Sequence, residues 1–213
     1  MTQHDQLVDR LRDRLAGPLP GREAQYKMAS MRRLEELGPS HEPPPGAKIA
    51  CVLNLLHHRD GAWHTVLIRR TANPRDRHSG QVSFPGGRWE ESDGDLASVA
   101  LREAEEEVGV PQQDVEVVGQ LTELYIPISN FLVYPFVGVL HGPAAFRPQP
   151  GEVEAVLTPA LTVFRSEELR KVSDLRVGHD GYFIKNVPYF EVDGHKVWGA
   201  TAMIISEFIE LMP

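Results

Sequence analysis

Residues 85–110, PGGRWEESDGDLASVALREAEEEVGV, decide the fold. On a helix spanning 95–108, Ala97, Leu101, Ala104 and Val108 fall at i, i+4, i+7 and i+11 and form one apolar stripe for a core. Glu103, Glu106 and Glu107 fall at i, i+3 and i+4 and share another face. Like charges so placed repel by roughly 0.2–0.5 kcal/mol per pair. Asp93 or Asp95 supplies the N-cap and Gly109 the C-cap. The Gly-Gly pair ahead of the helix allows close approach of the backbone to a ligand, and Arg102, four residues before Glu106, can orient a carboxylate. Most Glu-rich helix faces are merely solvated. A glycine turn, a capped helix and clustered acids together point instead to a site for a hard divalent cation, which prefers carboxylate and carbonyl oxygens and is completed by substrate phosphates.

Outward from this stretch the pattern changes twice. Upstream, 48–56 and 63–69 are β-rich runs joined by the hairpin sequence HHRDGA. A polar loop, RTANPRDRHSG (70–80), then leads to a short strand at 82–84 and a turn at 85–87. Farther upstream, 3–16 and 22–37 read as amphipathic helices broken by GPLPG, with a Pro-rich linker at 38–47. Downstream, strands are predicted near 115–123, 132–140 and 153–157, then a short helix at 159–166. Further strands at 182–184, 189–192 and 196–198 lead into a closing helix from Thr201. This order predicts an α+β fold, an α/β/α sandwich with a mixed sheet covered by helices on both faces. Residues 38–213 form one domain, and 1–37 are a helical extension packed on it.

The run REAEEEVGV (102–110) resembles the REUxEExGU half of the Nudix box, Gx5Ex7REUxEExGU, with Ala104 and Val110 at aliphatic positions. From Gly87 to Arg102 the chain is one residue longer than the box, and the isolated upstream acid falls among Glu90, Glu91, Asp93 and Asp95. The preceding stretch, VLIRRTANPRDRHSGQVSFPGG (66–87), resembles the signature of the coenzyme A pyrophosphatase branch. Leu67, Arg70, Arg75, Gly80, Phe84, Pro85, Gly86 and Gly87 hold its fixed positions, while Ile68 and Thr71 depart from it and the Arg75-to-Gly80 gap is one residue long. RPQPGEVEAVLTP (147–159) and VWGATAMII (197–205) resemble two further segments of that branch. The resemblance implies a Nudix fold and hydrolysis of a nucleoside diphosphate linked to another moiety. It implies Mg²⁺ or Mn²⁺ held by Glu103, Glu106 and Glu107 with the carbonyl of Gly86. The branch implies coenzyme A or an acyl-coenzyme A as substrate, giving 3′,5′-ADP and 4′-phosphopantetheine. Other Nudix substrates (ADP-ribose, NADH, a dinucleoside polyphosphate) and a non-catalytic nucleotide-binding role are the alternatives.

Charge bears on the same question. The chain of 213 residues has a formal net charge of −8, which argues against a general nucleic-acid binder and repels a phosphorylated substrate unless a local cluster reverses the sign. Arg69, Arg70, Arg75 and Arg77 supply one, since the planar guanidinium fork bonds two phosphate oxygens at once. Arg70, Arg75 and Arg77, with Gly86 and Gly87, are therefore the expected substrate contacts; the competing view is that these arginines pair with surface carboxylates. Glu103, Glu106, Arg102 and Glu152 are the expected catalytic group. Acids committed to a cation are poor bases, so a separate carboxylate near the metal is wanted. Glu152 sits in a loop just before a strand, where functional groups are often presented, and matches the acid of the branch's NPxEV segment. His78 is expected to be exposed, and Trp198 and Gly199 to be core and helix-entry residues. Cys51, the single cysteine, lies in an apparent core strand, which fits a structural thiol and removes the one residue that an isopentenyl-diphosphate isomerase of this fold would need. The charged N-terminus lacks the apolar core of a signal peptide, and a cytoplasmic protein is expected.

Overall fold

The computed structural model describes residues 3–37, 42–73, 78–177 and 182–212. Its central sheet is mixed, in the order β2 (Ala62–Thr65), β1 (Lys48–Arg59), β8 (Phe131–Leu140), β6 (Val115–Gln120). Strands β1 and β8 run parallel from Lys48↔Phe131 to Leu56↔Val139, and the other pairings in this sheet are antiparallel. The short strands β5 (Gly86–Arg88) and β7 (Leu124–Ile126) add to β1 and β8. Strand β1 is buried on both faces, as expected beside a parallel neighbour. Cys51, Leu53 and Leu55 face one core with Val99, Ala100, Ala104 and Val108 of α4 (Leu96–Val108). Val52 and Leu56 face the other with Leu7, Leu11 and Leu15 of α1 (Gln3–Leu15) and Met203, Ile204 and Phe208 of α5 (Gly199–Leu211). Helices thus cover both faces of the sheet.

Two smaller antiparallel sheets flank it. One is β4 (Val82–Ser83), β3 (Leu67–Arg70) and β9 (Val153–Leu157); the other is β10 (Arg170–Val177), β11 (Tyr182–Val192) and β12 (His195–Trp198). The HHRDGA hairpin closes through Asp60 and Gly61, both at positive φ (52° and 78°), between the paired residues Arg59 and Ala62; this is the turn whose twist suits adjoining strands.

Several elements differ from expectation. The helix expected over 22–37 is two helices, α2 (Gly21–Tyr26) and α3 (Met31–Leu37). The break falls where the Ser30 hydroxyl accepts from the Arg33 N–H at 3.3 Å and begins a new helix. Residues 86–88 are a strand rather than part of a turn, and the strand expected over 115–123 ends at Gln120 as β6, with the unforeseen short strand β7 following it. The short helix expected at 159–166 is a 3-10 helix at Leu161–Arg165, and a second 3-10 turn follows at Glu167–Leu169. Strand β10 was not foreseen because it is mostly exposed and carries no alternating apolar pattern. Strand β11 reads as two strands because Asn186 takes positive φ at a bulge, its N–H donating to Asp174 at 2.9 Å. No helix among the described residues is long and apolar enough to cross a membrane.

The N-terminal helices are fixed to this frame. Leu15 of α1 lies so close to Gly119 that a Cβ there would stand 2.6 Å from the Leu15 Cβ. Glu207 of α5 is fully buried and accepts from four donors. Two are Gly21 N–H and the Gln25 amide of α2, at 3.2 and 2.8 Å; two are the Thr122 N–H and hydroxyl, at 3.2 and 2.6 Å. A buried carboxylate is tolerated only when satisfied in this way.

Candidate active site

Helix α4 begins at Asp95, whose side chain accepts from Ser98 N–H at 2.9 Å, and ends at Gly109 in the left-handed region with φ 72°. Its last carbonyls are taken up by the loop before β9: Arg147 N–H donates to Val108 and Gln149 N–H to Glu107, at 2.8 and 3.0 Å. This docking carries the loop past the end of the helix. Thr71 then fastens it, its N–H bonding the Glu152 carbonyl at 2.9 Å and its hydroxyl the Gly151 carbonyl at 2.7 Å. Glu152 is thereby brought to the wall of an acidic cavity of about 460 Å³, with Asp93, Glu103, Glu107, Arg70 and Arg102 among its other lining residues.

The two glycines of β5 are fixed by close approach. A Cβ on Gly86, where φ is 154°, would lie 2.3 Å from the Cys51 carbonyl. A Cβ on Gly87 would lie 2.3–2.5 Å from the Glu103 carboxylate. No other residue fits either position without moving β1 or that carboxylate.

The three helix acids are not equivalent. Glu107 is 2% exposed. Burial pushes its carboxyl up to about 7, against the pull of the Gly86 N–H bond at 2.8 Å and of Arg70 at 3.8 Å. Burial also raises Glu103, although Arg102 lies 2.9 Å away. Glu106 is the outer member, with its side chain 58% exposed and both oxygens 3.2 Å from the Arg102 guanidinium. Arg102 also donates to Asp93 at 3.2 Å. Partial burial works against the Arg102 charge, but Glu103, Glu106 and Asp93 outweigh it and hold the group well above its usual range.

Among the described residues no three carboxylate, imidazole or thiol groups stand close enough together to grip an ion as they are. The donor set nevertheless suits one. Glu103, Glu107, Glu152 and Gly86 line one cavity, all their ligating atoms are hard oxygens, and Glu107 is a buried acid whose burial disfavours its charged form despite the Gly86 N–H and Arg70. A cation would compensate it and compete with Arg102 for Glu103 and Glu106.

Of the expected substrate contacts, Arg70, Gly86 and Gly87 lie where the acidic cavity meets a second, largely apolar pocket of about 380 Å³; Arg88 lines both as well. Arg75 and Arg77 lie outside the described residues. Arg69 instead pairs with Glu154 on β9 at 3.0 Å, both side chains part-exposed, an arrangement of little energetic weight. The second pocket is walled by Val52, Phe84, Phe131, Ile184 and Trp198. Trp198 and Gly199, expected only as core and helix-entry residues, lie on its wall, as does His78, which is half-buried rather than exposed. The Thr201 hydroxyl ties the start of α5 to this region by donating to the Val82 carbonyl at 3.1 Å. Sequence reasoning missed Arg33 and Ser129, which also line the pocket; neither lies in a motif, and only the folded chain brings them there.

The family model for the NUDIX domain matches residues 47–184. The chain is 36% identical over 161 residues to Nudix hydrolase 15, mitochondrial, of Arabidopsis thaliana, covering 74% of this chain and 56% of that protein. It is 38% identical over 149 residues to the uncharacterized Nudix hydrolase NudL of Photorhabdus laumondii, covering 68% and 75%. It thus spans little more than half the length of the Arabidopsis relative. Among solved structures, a MutT/nudix family protein from Enterococcus faecalis superposes with a TM-score of 0.53 at 17% identity, over 89% of this chain and 73% of that one. The chain belongs to the Nudix hydrolase family. Its fold, a mixed sheet between helices, is the Nudix fold, and the family generally uses divalent metal ions.

Proposed function

We propose that the chain hydrolyses the pyrophosphate bond of coenzyme A or an acyl-coenzyme A with Mg²⁺ or Mn²⁺, giving 3′,5′-ADP and 4′-phosphopantetheine or its acyl form. One observation carries this reading: Arg70, Gly86, Gly87 and Arg88 line both the acidic cavity and the apolar pocket. A diphosphate held at that junction can be exposed to the acids while a large organic group occupies the pocket. The stretches 66–87 and 197–205, which resemble the coenzyme A branch, meet at the same pocket, and this supports that substrate over other nucleotides.

Glu103, Glu106 and Glu107, with Gly86, would hold the ion, which when bound lowers the pKa of water and neutralises phosphoryl charge. Arg70 contacts the diphosphate oxygens. Arg102 orients Glu103 and Glu106. Glu152 takes the proton from a water whose oxygen bonds to one phosphorus; the bridging P–O bond breaks, and the other phosphate leaves as an anion.

A panel of nucleotide metabolites with Mg²⁺ or Mn²⁺ tests the substrate. Coenzyme A is expected to show a higher kcat/KM than 3′-dephospho-coenzyme A or ADP-ribose. Arg70→Ala should lower kcat/KM on all of them by roughly 10- to 100-fold, the equivalent of a lost charge-assisted contact of roughly 1.5–3 kcal/mol. A panel in which ADP-ribose is the best substrate overturns the coenzyme A assignment. For Glu152→Gln, kcat should fall with little change in coenzyme A binding; parental activity across pH 6–9 would rule out its role as base.

A further inference from the structure

We propose that α3 and the 127–130 turn form a subsite for an anionic group other than the scissile diphosphate, with Arg33 and Ser129 as its contacts. The identity of that anion rests on the coenzyme A reading: it is the 3′-phosphate. Arg33 is held at the pocket wall by an Nη2–H bond to the Tyr125 carbonyl. Its Nε and the Ser129 hydroxyl are both buried and have no hydrogen-bond partner among the described residues. Buried donors without partners are rare in folded proteins, and two on one pocket wall fit groups that a ligand satisfies.

The charge narrows the ligand. Burial lowers the Arg33 guanidinium only to about 10, so it remains a cation at neutral pH. The nearby Glu36 is engaged by the Arg32 Nε at 2.6 Å. A neutral amide can accept from Arg33 but cannot balance a desolvated cation, whereas a phosphate can do both. Beyond its diphosphate, coenzyme A carries one charged group, the 3′-phosphate. Arg33 is anchored by its own bond to the Tyr125 carbonyl, while Glu207 ties the preceding helix α2 to α5. The segment outside the matched family region would therefore act as a specificity element and not only as packing.

The parent, Arg33→Gln and Arg33→Lys are compared in two ways. In steady-state hydrolysis, Arg33→Gln should raise KM for coenzyme A at least tenfold, with a loss in kcat/KM at least fivefold larger on coenzyme A than on 3′-dephospho-coenzyme A. Arg33→Lys, which keeps the charge, should recover part of the difference. In calorimetric titration, which needs no turnover, the parent should bind adenosine 3′,5′-bisphosphate more tightly than AMP, and Arg33→Gln should bind the two alike. If coenzyme A is not hydrolysed yet this discrimination depends on Arg33, the substrate assignment fails and the subsite stands. If coenzyme A is hydrolysed and discrimination survives in Arg33→Gln, the subsite fails and the substrate assignment stands. Equal losses on both substrates, with melting temperature lowered alike in both variants, would mean a structural role and overturn the proposal.

Discussion

Glu107→Gln should leave the chain folded, more stable without metal at alkaline pH, and nearly inactive. Turnover should fall on the order of a hundredfold or more, because the amide keeps the shape but not the charge that a cation requires. The stability gain follows from proton linkage. Burial raises the Glu107 carboxyl from its usual 4.5 to about 7 in the folded chain. Between those values the unfolded chain ionises and the folded one holds its proton, so the fold loses stability as pH rises through that window. Below it the group contributes no such penalty. Above it the penalty is on the order of 3 kcal/mol, and Glu107→Gln does not incur it. Thermal melts in EDTA should therefore show parent and variant differing little at pH 4.5, with the variant melting higher at pH 8. Added Mg²⁺ should narrow the gap at pH 8, since a cation that binds only the folded parent stabilises it. A Glu107→Gln protein of parental activity, or a parent that works normally in EDTA, would overturn the proposal that Glu107 holds a metal ion.

Glu207→Leu is expected to be strongly destabilising. It preserves bulk but strips the acceptor from the Gly21 and Thr122 N–H groups, the Gln25 amide and the Thr122 hydroxyl, all gathered around a fully buried carboxylate. Unpaired buried donors cost ~1–3 kcal/mol each before relaxation. A net loss of about 3–5 kcal/mol and a melting point lowered by ~10 °C follow for a chain of this size. Glu207→Gln retains one acceptor and should lie between. Chemical denaturation of the three proteins measures the order, and a Leu variant as stable as the parent would mean that the donors find other partners.

Much of α4 was legible because what fixes it is local. The 3.6-residue spacing of Ala97, Leu101, Ala104 and Val108, the Asp95 cap and the Gly109 stop all lie within one stretch, and the Asp60–Gly61 turn is equally local. The burial of Glu107 beside the exposed Glu106 was not legible, although both share the spacing that groups them with Glu103. Which of two neighbouring acids turns inward depends on β5, whose Gly86 N–H takes the inward one. The route by which Glu152 reaches the cavity, through Arg147 and Gln149 bonding the end of α4, is a contact between distant segments that no local pattern records. Arg33 lies farther out of reach, since its partner carbonyl on Tyr125 is 92 residues away. The exposed strand β10 left no trace because a strand that buries little has no need of alternating apolar residues.

Cys51 has a consequence for how this protein meets oxidants. It is the single cysteine, fully buried on β1 where it pairs with Gly87 of β5, and its burial together with nearby Asp93 and Glu103 pushes the thiol up to about 12. Peroxides, disulfides and alkylating reagents attack the thiolate, and at neutral pH almost none exists here. The only sulfhydryl is thus chemically silent while the central sheet is closed. An oxidant is thus not expected to act on this chain through this side chain while the fold is intact.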